Sequence, residues 1–116
     1  MGGLGAALDQ AYIQAYGLPV RFEWDKRKSE ANFRQRGFDF AFASLVFDGP
    51  TLVAEDTRRD YGERRFVAIG LADGLHLTVV FTDRARRDAR IIRRIVSARR
   101  SNRRERRTYD QALIQD

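Results

Sequence analysis

Val20, Phe22 and Trp24 alternate with Arg21 and Glu23, the two-residue period of a half-buried strand, predicted over residues 19–24. Asp25 can accept from the first N–H groups of a following helix, and Gly37 can take the left-handed conformation that ends one. A helix over residues 26–36 is therefore predicted. Lys28, Asn32 and Arg36 are four apart and share one face of it. Asp39 caps a second helix, roughly residues 40–46, carrying Phe40 and Ala43 with Phe47 just beyond; Phe38 can staple onto Ala43. Strands are predicted over residues 51–55, 65–71, 76–82 and 90–97, where Ile91, Ile92, Ile95 and Val96 favour a pleated surface. The tight Ala72-Asp73-Gly74 turn joins the second and third of these in a hairpin. Asn102 can cap a final helix running close to the C-terminus. The element order predicts an α+β fold: a small antiparallel sheet of about four to five strands, two N-terminal helices and a C-terminal helix. Residues 1–18 are rich in small side chains, with a weak helical stripe of Leu8, Tyr12 and Ala15. They are predicted as an N-terminal extension, a short helix or a frayed end, with residues 19–116 forming the domain.

Charge changes the picture. The chain of 116 residues carries a net charge of +6 and is 43% hydrophobic, enough for one core. Residues 84–107 hold twelve arginines against Asp88 and Glu105, a local charge of +10 that leaves −4 for the rest. Such concentrated arginine suits bidentate phosphate contact and points to nucleic acid as partner. The absence of cysteine excludes disulfides and thiolate metal sites, and a single histidine, His76, excludes a two-histidine ribonuclease centre. No metal or cofactor is expected. No apolar run approaches the ~20 residues of a membrane span, and residues 1–20 have no secretory pattern, so a cytoplasmic protein with no membrane association is expected.

Three stretches together resemble the BrnT-type toxins of type II toxin–antitoxin pairs. They are Phe22-Glu23-Trp24-Asp25 with Lys28, Asn32 and Gly37; Glu63-Arg64-Arg65-Phe66-Val67-Ala68-Ile69-Gly70; and Arg94-Ile95-Val96-Ser97-Ala98-Arg99 with Glu105 and Tyr109 beyond. The matches run in order through residues 22–110. The resemblance implies a fold like that of RelE-type ribonucleases and neutralisation by an antitoxin with a ribbon–helix–helix DNA-binding domain. It further implies two toxin chains on a dimeric antitoxin, with operator DNA reached only through the antitoxin. One position departs from the family: the histidine usual before the glycine ending the first helix is Arg36 here. The first 18 residues also precede the family's usual start.

Metal-free RNA cleavage requires the 2′-OH deprotonated, the phosphorane's charge stabilised and the 5′-oxygen protonated. Arg65, Arg94 and Arg99 could converge on one phosphate. Strand alternation lets only one of Arg93 and Arg94 face the site, and the resemblance implies Arg94. Ser97 can donate to a phosphate oxygen or bond its own backbone. Glu105 is the candidate general base, but with Asn102 it also has capping-box spacing, and surrounding arginines would weaken it as a base. Tyr109 can stack on a base, donate a proton or pack in the core. Lys28 and Arg36 can hold RNA from the first helix or be solvated. His76, at a strand end, reads as structural. The function expected is a ribonuclease toxin; the alternative is a non-catalytic nucleic-acid-binding partner or co-repressor of the antitoxin.

Overall fold

The computed structural model describes residues 8–14, 20–88 and 90–114; Ala15 of the proposed N-terminal stripe lies outside them. The first alternating segment is a strand, β2 (Val20–Trp24). Tyr12–Gln14, expected in a helical stripe, is instead a strand, β1, paired antiparallel with residues 51–53. Tyr12 and Ile13 are exposed, so this tripeptide has no apolar face for a helix to bury. Pairing with a sheet edge satisfies its backbone groups instead.

Helix α1 (Lys26–Arg36) has the predicted limits. The Asp25 carboxylate accepts from the Lys28 N–H at 3.1 Å, and Gly37, at φ 84°, donates its N–H to the Phe33 carbonyl. Its inward face is polar rather than apolar. Ser29 Oγ accepts from the Phe40 N–H at 3.0 Å and Asn32 donates to the Phe38 carbonyl at 2.9 Å, so α1 is fastened by the chain that follows it. Helix α2 (Phe40–Ala43), capped by Asp39, is shorter than predicted and tightens into a 3-10 turn, Ser44–Asp48, that buries Val46 and Phe47.

The remaining strands are β3 (Thr51–Asp56), β4 (Arg65–Ala72), β5 (Leu75–Ala85) and β6 (Ile91–Arg100), before helix α3 (Arg103–Ile114). They form one six-stranded sheet in the order β1-β3-β4-β5-β6-β2. The expectation of four to five antiparallel strands is corrected in two respects: β1 is added at one edge, and β2 runs parallel to β6 at the other. Alternation along β2 fixes which side chains turn toward the core but not which strand it joins. A parallel partner needs a long connection, which everything between α1 and β5 supplies.

The sheet has a layer on each face. On one side α2 and the 3-10 turn cover Val53, Ala68, Leu77, Val79, Phe81, Ile95 and Ala98; on the other α3 brings Tyr109 onto Leu52, Val67 and Ile69. Strand β3 is covered from both sides and is buried continuously from Thr51 to Ala54, as expected of a strand sandwiched between layers. Helix α3 packs on β3 and β4 and touches β5 and β6 at Thr78 and Arg99. The β5–β6–β2 end of its face lies beyond it, and Arg94 and Ser97 there are exposed.

Candidate active site

An irregularity in β6 decides which arginines face outward at that uncovered end. Val80 lies opposite Ser97 and Phe81 opposite Ile95, so Val96 is an extra residue in the ladder. Strict alternation would put Arg94 and Ser97 on opposite faces; the bulge resets the phase. Arg94 opposite Thr82, Ser97 opposite Val80 and Arg99 opposite Thr78 consequently share the α3 face. Arg93 turns the other way. It is 4% exposed, bonds Asp83 twice at 2.8 Å, and lies 4.6 Å and 4.2 Å from the Phe47 and Phe81 ring centres. Arg65 precedes Phe66, which is opposite Phe81, so Arg65, Thr82 and Arg94 stand in one row across β4, β5 and β6. Two strand spacings, roughly 10 Å, separate the outer pair. Arg65 stacks 4.3 Å from the Tyr61 ring centre and meets Glu63 at 3.3 Å.

Glu105 and Arg99 are brought together, but not around open space. Glu105 is 2% exposed. It receives two bonds from Arg99 at 2.8 Å, one from the Thr78 hydroxyl at 3.0 Å and one from the Asn102 N–H at 2.9 Å. Asn102 reciprocates by accepting the Glu105 N–H at 2.8 Å, so the capping box is formed. Burial alone would raise the carboxyl's pKa, yet the Arg99 pair, the Asn102 N–H and the Thr78 hydroxyl together hold it below the ordinary range. That makes Glu105 a weak base and a strong joint between β5, β6 and α3.

Tyr109 is 2% exposed and donates its hydroxyl to the Pro50 carbonyl at 2.8 Å; burial pushes its phenol up. His76 meets Asp110 at 2.8 Å and lies edge-on to Tyr109. Arg36 donates to the Ala98 carbonyl at 2.7 Å from the opposite layer, and Lys28 is exposed on the first turn of the same helix. The structure therefore gathers Arg65, Arg94 and Ser97 on one face. Glu105 and Tyr109 lie within the fold, and Arg36 is behind the sheet.

Beside Arg94 lies an open hollow of about 350 Å³, lined by Glu23, Glu63, Arg64, Thr82, Arg84 and Arg94 together with Asp83. Glu23 is the carboxylate of this hollow that stands against Arg94. The parallel register sets it opposite Arg94. One of its oxygens accepts from Arg94 at 3.3 Å and the other from Arg84 at 3.2 Å. In the sequence it belongs to the Phe22-Glu23-Trp24-Asp25 stretch, and its place on the polar side of the alternating strand is the structural signal. That signal becomes informative once the partner of β2 is known.

An α+β domain with arginines gathered on an uncovered end of one sheet face is built to meet a polyanion. The profile of the ribonuclease toxin BrnT of type II toxin–antitoxin systems matches residues 24–105, and the chain belongs to that family. Membership carries with it an RNA target and an antitoxin partner. No curated protein matches the chain. Among the described residues no helix is long and apolar enough to cross a membrane.

Proposed function

We propose that this protein is a metal-independent endoribonuclease that arrests translation and growth until an antitoxin covers it. The observation that carries the reading is Arg94, exposed beside Thr82 and Ser97 on the uncovered end of the sheet, in a chain of the BrnT family. Arg94 and Arg65 stabilise the charge that develops on the phosphorane, and Ser97 donates to a phosphate oxygen. Glu105 and Arg99 act indirectly, by holding the end of β6 against α3. Tyr109 anchors α3 on β3 and β4 from the core, and Lys28 and Arg36 lie outside the reacting centre. The antitoxin partner is one with a ribbon–helix–helix domain, carrying two toxin chains per antitoxin dimer and leaving its DNA-binding end free for the operator.

The test is expression with and without the adjacent antitoxin reading frame, scored for growth arrest, together with cleavage of naked RNA by purified protein in EDTA. Arrest relieved by the antitoxin, with cleavage in EDTA, is expected. Arrest without cleavage of any RNA, naked or ribosome-bound, would favour the second reading: a nucleic-acid-binding co-repressor. The arginine pairing of Glu105 and Glu23 is the observation on that side, since it occupies the carboxylates nearest Arg94 and Arg99.

A further inference from the structure

We infer that Glu23 is the general base of this site and, until RNA arrives, the anion that fills its phosphate seat. The inference rests on the ribonuclease reading above and supplies the proton acceptor that reading lacks. Elimination leads to it first. On the α3 face, Glu105 is sealed by Arg99, Thr78 and Asn102, and Asp56 is held by backbone and side-chain bonds from Arg58 and one from the Tyr61 hydroxyl. Asp110, on α3 itself, is bound to His76. Two glutamates line the hollow: Glu63, in the loop before β4, meets Arg65 at 3.3 Å, whereas Glu23 is set directly opposite Arg94 by the strand register, with its side chain 29% exposed.

The geometry of its bonds gives the second reason. The sheet's structural ion pairs are short and bidentate: Arg93 with Asp83 and Arg99 with Glu105, every contact at 2.8 Å. Glu23 instead makes one longer bond to each of two different arginines, at 3.3 Å and 3.2 Å, and the Arg94 side chain is 45% exposed. Exposed single-point pairs are weak and exchange readily. A phosphodiester offers the two guanidiniums two oxygens in the same place, so it can take over Arg94 and Arg84. The displaced Glu23 carboxylate then stands beside the bound phosphate, within reach of the adjoining ribose. There it takes the proton of the 2′-OH as the 2′-oxygen bonds to phosphorus. The P–O5′ bond breaks, the 5′-oxygen takes a proton from water, and Glu23 returns its proton to the hydroxide left behind. The products are a 2′,3′-cyclic phosphate and a 5′-OH.

A base that also occupies the phosphate seat should give two opposite effects when neutralised. Glu23→Gln keeps the shape, removes the competing charge and cannot accept the proton. The experiment uses the full-length protein, a labelled RNA oligonucleotide of mixed sequence, and its 2′-O-methyl counterpart, which lacks the nucleophile and reports binding alone. Glu23→Gln should bind the 2′-O-methyl strand several-fold more tightly while cleaving RNA about 100-fold more slowly. Glu23→Asp should retain part of the cleavage, and thermal unfolding should be unchanged in both. Wild-type cleavage rates in Glu23→Gln would overturn the base; loss of affinity together with cleavage would reduce Glu23 to a support for Arg94 and overturn the seat. A wild-type protein that cleaves no RNA fails the ribonuclease reading instead, and the base with it, whereas tighter binding by Glu23→Gln would still uphold the seat.

Discussion

Arg93 and Arg94 share a side-chain chemistry and differ only in the face of β6 they occupy. Arg93 fixes Asp83 and packs between Phe47 and Phe81, whereas Arg94 remains 45% exposed beside a loosely held carboxylate. Arg94→Ala should therefore lower RNA cleavage by roughly 10²–10³, the loss of one transition-state donor, with an unchanged melting temperature. Wild-type cleavage by a folded Arg94→Ala protein would remove it from the site. Glu105 is the opposite case. Its alternatives, base or capping box, were both legible in the sequence, but its burial depends on tertiary packing that spacing does not encode. Glu105→Ala removes one partner of a buried pair and the helix cap, and should cost about 3 kcal/mol, read as a shift of the denaturation midpoint. Its carboxyl pKa is lowered in the folded state, so it stabilises above its ordinary value near 4.5 and loses that contribution as pH falls through the folded value. The gap between wild type and Glu105→Gln should then narrow as the pH falls below that ordinary value. A constant gap would mean that the Arg99 pair does not contribute through charge.

At the scale of elements, α1 and the β4–β5 hairpin were legible because their signals are local: Asp25 and Gly37 at the helix ends, Asp73 and Gly74 at the turn. The partner of β2, the strand at Tyr12–Gln14 and the bulge at Val96 were not legible. Each depends on a neighbour far away in sequence, and alternation alone carries no information about it. The bulge matters most, because without it Ser97 would face α2 rather than accompany Arg94. Gly70 shows how a residue in a recognisable motif acquires a physical reason. A Cβ added there would lie 2.9 Å from Val46 Cβ, 3.0 Å from Thr51 Cγ2 and 3.2 Å from the Val46 carbonyl. The 3-10 turn can rest on β4 only because that position has no side chain. Gly70→Ala should destabilise the domain by about 1–3 kcal/mol through overpacking, measured by urea denaturation. Unaltered stability would show that the turn can move away at no cost.

Across the whole molecule, the fold redistributes the charge that the sequence concentrates. Arg84, Arg86, Arg90, Arg93, Arg94 and Arg99 all meet carboxylates, whereas Arg103, Arg104 and Arg107 have no acidic partner among the described residues. These three line a shallow recess along α3 with Thr108 and Gln111. Phosphate neutralisation releases counterions, so RNA affinity should fall by orders of magnitude from about 50 to 200 mM salt. Replacing Arg103 or Arg107 by Ala should flatten the slope by about 1 each. A face with this much available charge would hold nucleic acid indiscriminately in the cell unless a partner masked it. The antitoxin implied by the family is the natural mask, and the simplest arrangement is an acidic helix or loop laid across Arg65 and Arg94, whose guanidiniums donate to carboxylates in bidentate pairs. Antitoxin and RNA should then compete for one surface. Charge reversal at Arg65 and at Arg94 tests this by parallel measurement of antitoxin and RNA affinity. Arg99 is a poor probe, because reversing it would strand Glu105 and damage the fold. If both reversals abolish RNA binding and leave antitoxin affinity intact, the surfaces are separate and inhibition acts from a distance. Joint loss of both, in proteins that melt like wild type, is the expected result.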